Sequence, residues 1–172
     1  MGGGTGYFLQ KMLEQNKTIH ITYVDVSAKM IAYSKKRVEE NCPNTLYRVT
    51  FICAAVEDLE WQTYDVIVCN YILDLYNNAG LEVLAKKFKH NLNAEGFLYV
   101  TDFHIQETNG LLKWCTQMGL KALYTFFRYA TQLRTKQLPE IDRLLTEQGF
   151  FISDSKSYLS GILMCRLYKM ND

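Results

Sequence analysis

Apolar positions along this chain keep two rhythms that alternate. Tyr7, Phe8, Leu9, Met12 and Leu13 recur at helical spacing directly behind a glycine-dense opening, Gly2-Gly3-Gly4-Thr5-Gly6. Thr18 to Val24 is a β-branched run that ends in Asp25 and predicts a strand. Ser27 has the chemistry of an N-cap, and the pattern behind it predicts a helix from Ala28 to about Glu40. Asn41-Cys42-Pro43-Asn44 breaks that helix. Tyr47 to Cys53 predicts a strand, and Tyr64 to Asn70 is a short apolar run suited to a buried parallel one. A helix is expected over Asn77 to Leu92, a turn over Asn93 to Gly96, and a strand from Phe97 to Thr101 that ends at Asp102. Near the C-terminus a helix runs from Leu138 to Gln148, with Pro139 in its first turn and Gly149 just past its end. Phe150–Ser157 and Ile162–Lys169 then form two strands around Ser160-Gly161, expected as an antiparallel hairpin on a sheet edge. The alternation predicts an α/β fold: a doubly wound, mostly parallel sheet with a C-terminal antiparallel hairpin and a helical insertion over 105–138.

Length changes this picture little: 172 residues suit one domain, 1–172, with a sizeable core. Hydrophobic residues at 48% and charged ones at 22% are those of an ordinary globule, which argues against disorder. A formal net charge of +1 provides no field for nucleic acid. Cysteines at 42, 53, 69, 115 and 165 show no Cys-x-x-Cys spacing, so metal and redox motifs are not expected. A reducing, cytoplasmic setting is the default. The chain opens without a charged-then-apolar leader, and its apolar runs are too short to predict stable membrane insertion.

The candidate chemistry sits at the glycine opening. Glycine lacks a Cβ and tolerates positive φ, so such a turn lets backbone approach a ligand closely. The helix behind it aims unpaired N–H groups into the same space. The dinucleotide frame Gly-x-Gly-x-x-Gly fails, because the glycines fall at 2, 4 and 6 and position 7 is Tyr. The phosphate-loop frame fails for want of Gly-Lys-Ser/Thr. A flexible N-terminus is the plain alternative. Against it stands Asp25, 19 residues after Gly6, a strand-end carboxylate spaced to accept hydrogen bonds from ribose hydroxyls. A helix-start acid is the other reading of Asp25. Ligands in open α/β sheets bind beyond the carboxyl ends of strands. Gly2 to Gly6, Asp25, Val56 with Glu57, Asn70 and Asp102 all fall at such ends.

Gly-x-Gly-x-Gly resembles motif I of the class I S-adenosylmethionine-dependent methyltransferases. Residues 23–30 (Tyr-Val-Asp-Val-Ser-Ala-Lys-Met), 56–59 (Val-Glu-Asp-Leu), 65–73 (Asp-Val-Ile-Val-Cys-Asn-Tyr-Ile-Leu) and 92–102 (Leu-Asn-Ala-Glu-Gly-Phe-Leu-Tyr-Val-Thr-Asp) resemble that family's successive motifs. The flavour is that of the small-molecule, quinone-biosynthesis-like branch. The resemblance implies a Rossmann-like sheet, S-adenosylmethionine as cofactor and methyl transfer to an O, N or C nucleophile of a small-molecule acceptor. It implies that Gly2, Gly4 and Gly6 cradle the methionine portion and that Asp25 holds the ribose. Val26 would pack on the adenine, with the Val56 N–H and Glu57 at the adenine edge. Asn70 would lie beside the reacting methyl. It does not identify the acceptor.

Two departures from the family pattern stand out. Members carry a strand and an acid just before the glycines, which here would precede Met1. The expectation is a chain shortened at its N-terminus, with strands 19–24 and 65–70 not separated by another strand of the chain. Many members also carry an acid where Ala55 stands, and its loss would weaken the adenine contact by about 1.5–3 kcal/mol. A truncated or degenerate fold serving as a non-catalytic binding or dimerising domain is therefore the rival reading, and homodimerisation stays open. No catalytic residue stands out. His104 is the best candidate base, against a plain loop histidine. Tyr71 and Tyr76 either line the acceptor side or pack. Residues 105–138 carry Lys113, Lys121, Arg128, Arg134 and Lys136 among Trp114, Tyr124, Phe126, Phe127 and Tyr129. They form either an amphipathic helical pair or a cap over an acceptor pocket, with weak membrane-surface contact as a third option.

Overall fold

Glycine-rich backbone gives way to helix at Tyr7, and in the computed structural model α1 spans Tyr7–Gln15. The structure describes residues 1–103, 140–158 and 163–171; the expected cap over 105–138 and His104 lie outside them. The described chain divides into two compact units, Met1–Gln62 and Thr63–Asp172.

In the first unit α1 is followed by β1 (Ile21–Asp25), α2 (Ala28–Asn41) and β2 (Val49–Cys53). β1 and β2 pair in parallel, from Ile21 opposite Val49 to Asp25 opposite Cys53. A parallel pair needs a long crossover, and α2 supplies it. Leu9 and Leu13, one turn apart on α1, meet Tyr23 of β1 and Val38 of α2 to form the core of this unit. Ser27 caps α2 as its residue type suggests, accepting the Met30 N–H.

Two boundaries differ from expectation. β1 starts at Ile21, not Thr18, because the Asn16 side chain accepts the Thr18 and Ile19 N–H groups and holds that stretch as a turn. The strand predicted from Tyr47 starts at Val49, because Pro43–Arg48 coils into a 3-10 turn. That turn delivers Arg48, which is 5% exposed, to the C-terminal end of α1. Its guanidinium donates to the carbonyls of Asn16 at 2.8 Å and of Leu13 and Ile19 at 3.5 Å. A buried cation there offsets both the unpaired carbonyls and the negative end of the dipole.

The second unit holds β3 (Tyr64–Asn70), α3 (Asn78–Asn91), β4 (Leu92–Phe103), α4 (Ile141–Glu147), β5 (Phe150–Tyr158) and β6 (Leu163–Met170). Its sheet runs β3-β4-β6-β5. β3 and β4 are parallel; β6 is antiparallel to both β4 and β5, and the C-terminal pair sits at the edge as the sequence predicts. Leu81, Leu84, Ala85 and Phe88 place one face of α3 in the core. The turn expected over Asn93–Gly96 lies within β4. Leu92 pairs with Tyr64 and Phe97 with Val66, so four residues of β4 bulge opposite the single residue Asp65. Asp142 of α4 accepts hydrogen bonds from Arg166 at 2.8 Å and from Tyr168, which is 1% exposed, at 2.5 Å. Those two residues share one face of β6 and fix the helix to the strand.

Among the described residues β1 pairs only with β2, and β3 forms its parallel ladder only with β4. Among the described residues β1 and β3 thus each keep one unpaired edge.

Candidate functional site

The site is built in the first unit from a turn, a strand end and two helix starts. Gly2, Gly4 and Gly6 all take positive φ, at 66°, 58° and 76°. An L side chain disfavours this region, so the alternation of glycines follows from the shape of the turn. Gly6 also faces Ser34 of α2: a Cβ there would sit 2.6 Å from the Ser34 Cβ and 2.8 Å from its Cα. The start of α1 therefore lies against the α2 backbone.

Asp25 ends β1 with its carboxylate turned toward the glycines. One oxygen accepts the Gly4 N–H at 3.0 Å, and the other accepts the Ser27 N–H at 2.9 Å. A single carboxylate thus joins the glycine turn to the start of α2. Each of its oxygens can accept more than one hydrogen bond, so the rim keeps acceptor capacity for a diol.

Two further residues, Tyr23 and Arg37, hold the turn, and sequence reading did not single them out. The Tyr23 hydroxyl donates to the Gly4 carbonyl at 3.0 Å. Burial raises its pKa to about 12, so it stays a donor across the neutral range. Gly3 owes its identity to the Tyr23 ring, because a Cβ at Gly3 would fall 2.1 Å from Cζ. Arg37 of α2 reaches over the Tyr7 ring, 5.9 Å from its centroid, and donates to the Thr5 carbonyl at 2.9 Å. Only Tyr23 had a signal in the sequence: two residues before Asp25, it shares that residue's face of the strand.

The remaining expected residues fall as follows. Val26, directly after Asp25, is 68% exposed, an apolar surface next to the carboxylate. Val56 opens a 3-10 turn over Val56–Asp58, with a buried side chain; its N–H is at the helix start, where no intrahelical acceptor exists. Glu57 is exposed on the same turn. Ala55 precedes it, and its carbonyl accepts the Asp58 N–H. Asn70 belongs to the second unit, at the carboxyl end of β3 opposite Thr101. Next to it Tyr71 alone among the described non-glycine residues has a positive φ, 52°. No group of His, Cys, Asp and Glu among the described residues is disposed to hold a metal.

Parallel α/β units with a glycine turn at the start of α1 and a carboxylate at the end of β1 define the class I, S-adenosylmethionine-dependent methyltransferase fold. A family model described as a methyltransferase domain matches residues 1–98, more than half of the sequence, and the chain belongs to that family. It is 28% identical over 182 residues to a malonyl-[acyl-carrier protein] O-methyltransferase of Priestia megaterium, across 91% of this chain and 64% of that protein. With the malonyl-[acyl-carrier protein] O-methyltransferase of Bacillus anthracis it shares 34% identity over 109 residues, 63% of this chain and 37% of that one. The crystal structure of TnmH superposes with a TM-score of 0.75 at 19% identity, covering 99% of this chain and 48% of TnmH. The chain therefore spans less than two thirds of the length of each of these proteins.

Proposed function

We propose that this chain binds S-adenosylmethionine in its first unit and transfers the methyl group to an oxygen of a small-molecule acceptor. The observation that carries the reading is the clamp between Gly4 and Asp25. The carboxylate faces the glycine turn, and a Cβ at Gly4 would meet nothing within 4 Å. The bare backbone face of Gly4 is thus open to a ligand, as a methionine-bearing nucleoside requires. Asp25 would accept the ribose hydroxyls, exposed Val26 would cover one face of the adenine, and the Val56 N–H would meet its edge near Glu57. Gly2, Gly4 and Gly6 would follow the methionine portion.

The bound cofactor supplies a methyl on a sulfonium, a leaving group that departs as a neutral thioether. What remains for the protein is to align two reactants and exclude water. The proteins named above point to an oxygen nucleophile held on an acyl carrier. A free carboxylate on such an acceptor is ionised near neutral pH and needs no base to become nucleophilic. No helix among the described residues is long and apolar enough to cross a membrane. Among the described residues Cys42, Cys53, Cys69 and Cys165 are free thiols.

Calorimetric titration with S-adenosylhomocysteine tests the cofactor half, and methyl transfer from labelled S-adenosylmethionine to malonyl-[acyl-carrier protein] tests the acceptor half. Micromolar binding that Asp25→Ala weakens about 30-fold is the expected result. No heat at millimolar ligand would favour a non-catalytic domain instead.

A further inference from the structure

β5 is the outer strand of the second unit's sheet, and among the described residues it pairs only with β6. Every residue from Phe151 to Tyr158 is exposed. A free edge of this length offers backbone N–H and C=O groups to another strand. The pairing with β6 fixes which side chains share a face. Phe151, Asp154, Lys156 and Tyr158 stand opposite Lys169, Leu167, Cys165 and Leu163, which are alternate residues of β6 and so lie on one side of the sheet. The register shift between Ile152 and Asp154 brings Phe151 onto that side; a regular strand would turn it to the other. The face therefore reads aromatic, acid, base, aromatic, with Phe151 41% and Tyr158 51% exposed. Turned end for end it reads aromatic, base, acid, aromatic. Laid antiparallel against itself, the row sets ring against ring and acid against base at every position.

We propose that β5 is a self-recognition edge, along which two copies of this chain join antiparallel about a two-fold axis at Ser155 and make one continuous sheet. The contact is isologous, and each strand augments the other's sheet. Asp154 meets the partner's Lys156, Lys156 meets the partner's Asp154, and the bulge sets Phe151 opposite the partner's Tyr158. Opposite charges and aromatic pairs directly across an antiparallel ladder both favour this register. In the single chain the Asp154 carboxylate accepts the Ser155 N–H at 2.8 Å. On association the carboxylate turns to the partner's Lys156 and leaves that N–H to a carbonyl of the partner strand. A strand with another order of charges would set like against like, which is how the edge discriminates. The proposal stands apart from the methyl-transfer reading.

The test is analytical ultracentrifugation of the whole chain over a range of concentrations. The wild type should show a monomer–dimer equilibrium with Kd in the micromolar range, as befits a small interface. Asp154→Lys sets lysine opposite lysine at both symmetry-related positions, and Lys156→Asp sets aspartate opposite aspartate. Each variant alone should raise the dimer Kd by roughly tenfold or more. Mixed in equal amounts, the two variants place a lysine opposite an aspartate at both positions, and the mixture should dimerise as the wild type does. A variant that had merely lost its fold would not recover in the mixture. Tyr158→Ser should also weaken the dimer, through loss of the ring pair. A wild type that stays monomeric at about 1 mM would overturn the proposal. So would a dimer that both charge variants leave intact, or a mixture that stays monomeric.

Discussion

Replacing Asp25 by alanine removes the one group that bonds both the glycine turn and the start of α2. Two charge-assisted hydrogen bonds disappear, to Gly4 at 3.0 Å and to Ser27 at 2.9 Å. Each such bond is worth about 1.5–3 kcal/mol when well buried. Asp25 is only half-buried, so water replaces part of this and a total loss of about 1–3 kcal/mol is expected. The binding effect can be read separately. Ligand at 100 times its Kd stabilises the folded state by about 2.7 kcal/mol, which raises the melting midpoint of a chain this size by roughly 5–11 °C. If the lost carboxylate raises Kd about 30-fold, the same ligand concentration adds only about 0.9 kcal/mol, or roughly 2–3 °C. The assay is thermal unfolding with and without S-adenosylhomocysteine, with calorimetry to fix Kd. Asp25→Asn is the informative companion. Its amide offers one acceptor oxygen and one NH2 group, so one of the two N–H partners faces a donor. It should be about as unstable as the alanine variant and bind the ligand as poorly. An alanine variant with the wild-type ligand-induced shift would refute the reasoning, because the clamp would then be purely structural.

Gly3→Ala places a Cβ 2.1 Å from Tyr23 Cζ and must displace the ring that bonds the Gly4 carbonyl, so a loss of about 1–3 kcal/mol and weaker S-adenosylhomocysteine binding are expected by urea unfolding and calorimetry. Asp142→Ala leaves the buried Tyr168 hydroxyl without its acceptor and releases Arg166; about 1–3 kcal/mol of stability should be lost, and the double variant with Tyr168→Phe should recover part of it. At alkaline pH the Tyr23 pKa is about 12 in the folded chain against 10.0 for the ordinary group. The folded state then binds more protons than the unfolded one, and the stabilisation present below pH 10 is lost as pH rises toward 12. Tyr23→Phe should flatten that part of a stability–pH curve, and an unchanged slope would contradict the assignment.

Much of this protein is written in local pattern. The alternation of strand and helix, the Ser27 cap, the strand over 64–70, the edge pairing of the last two strands and the candidate glycines and carboxylate all follow from periodicity and residue chemistry, whereas the burial expected of 64–70 is met only at Ile67 and Cys69. Where pattern misled, a side chain had intervened: Asn16 delays β1, and the turn that carries Arg48 to the end of α1 delays β2. The bulge at Asn93–Gly96 looks like a turn in sequence because its residues are turn residues; only the partner strand makes it part of β4. The site divides the same way. Asp25 was visible from its spacing, but that both its oxygens are bonded across the glycine turn depends on two segments meeting in space. Gly3 is required by a tyrosine 20 positions away, Arg37 crosses from another helix, and the Tyr71 N–H is taken up by the Thr101 carbonyl of the next strand. No local sequence rule encodes those contacts, because their partners come together only when the chain folds.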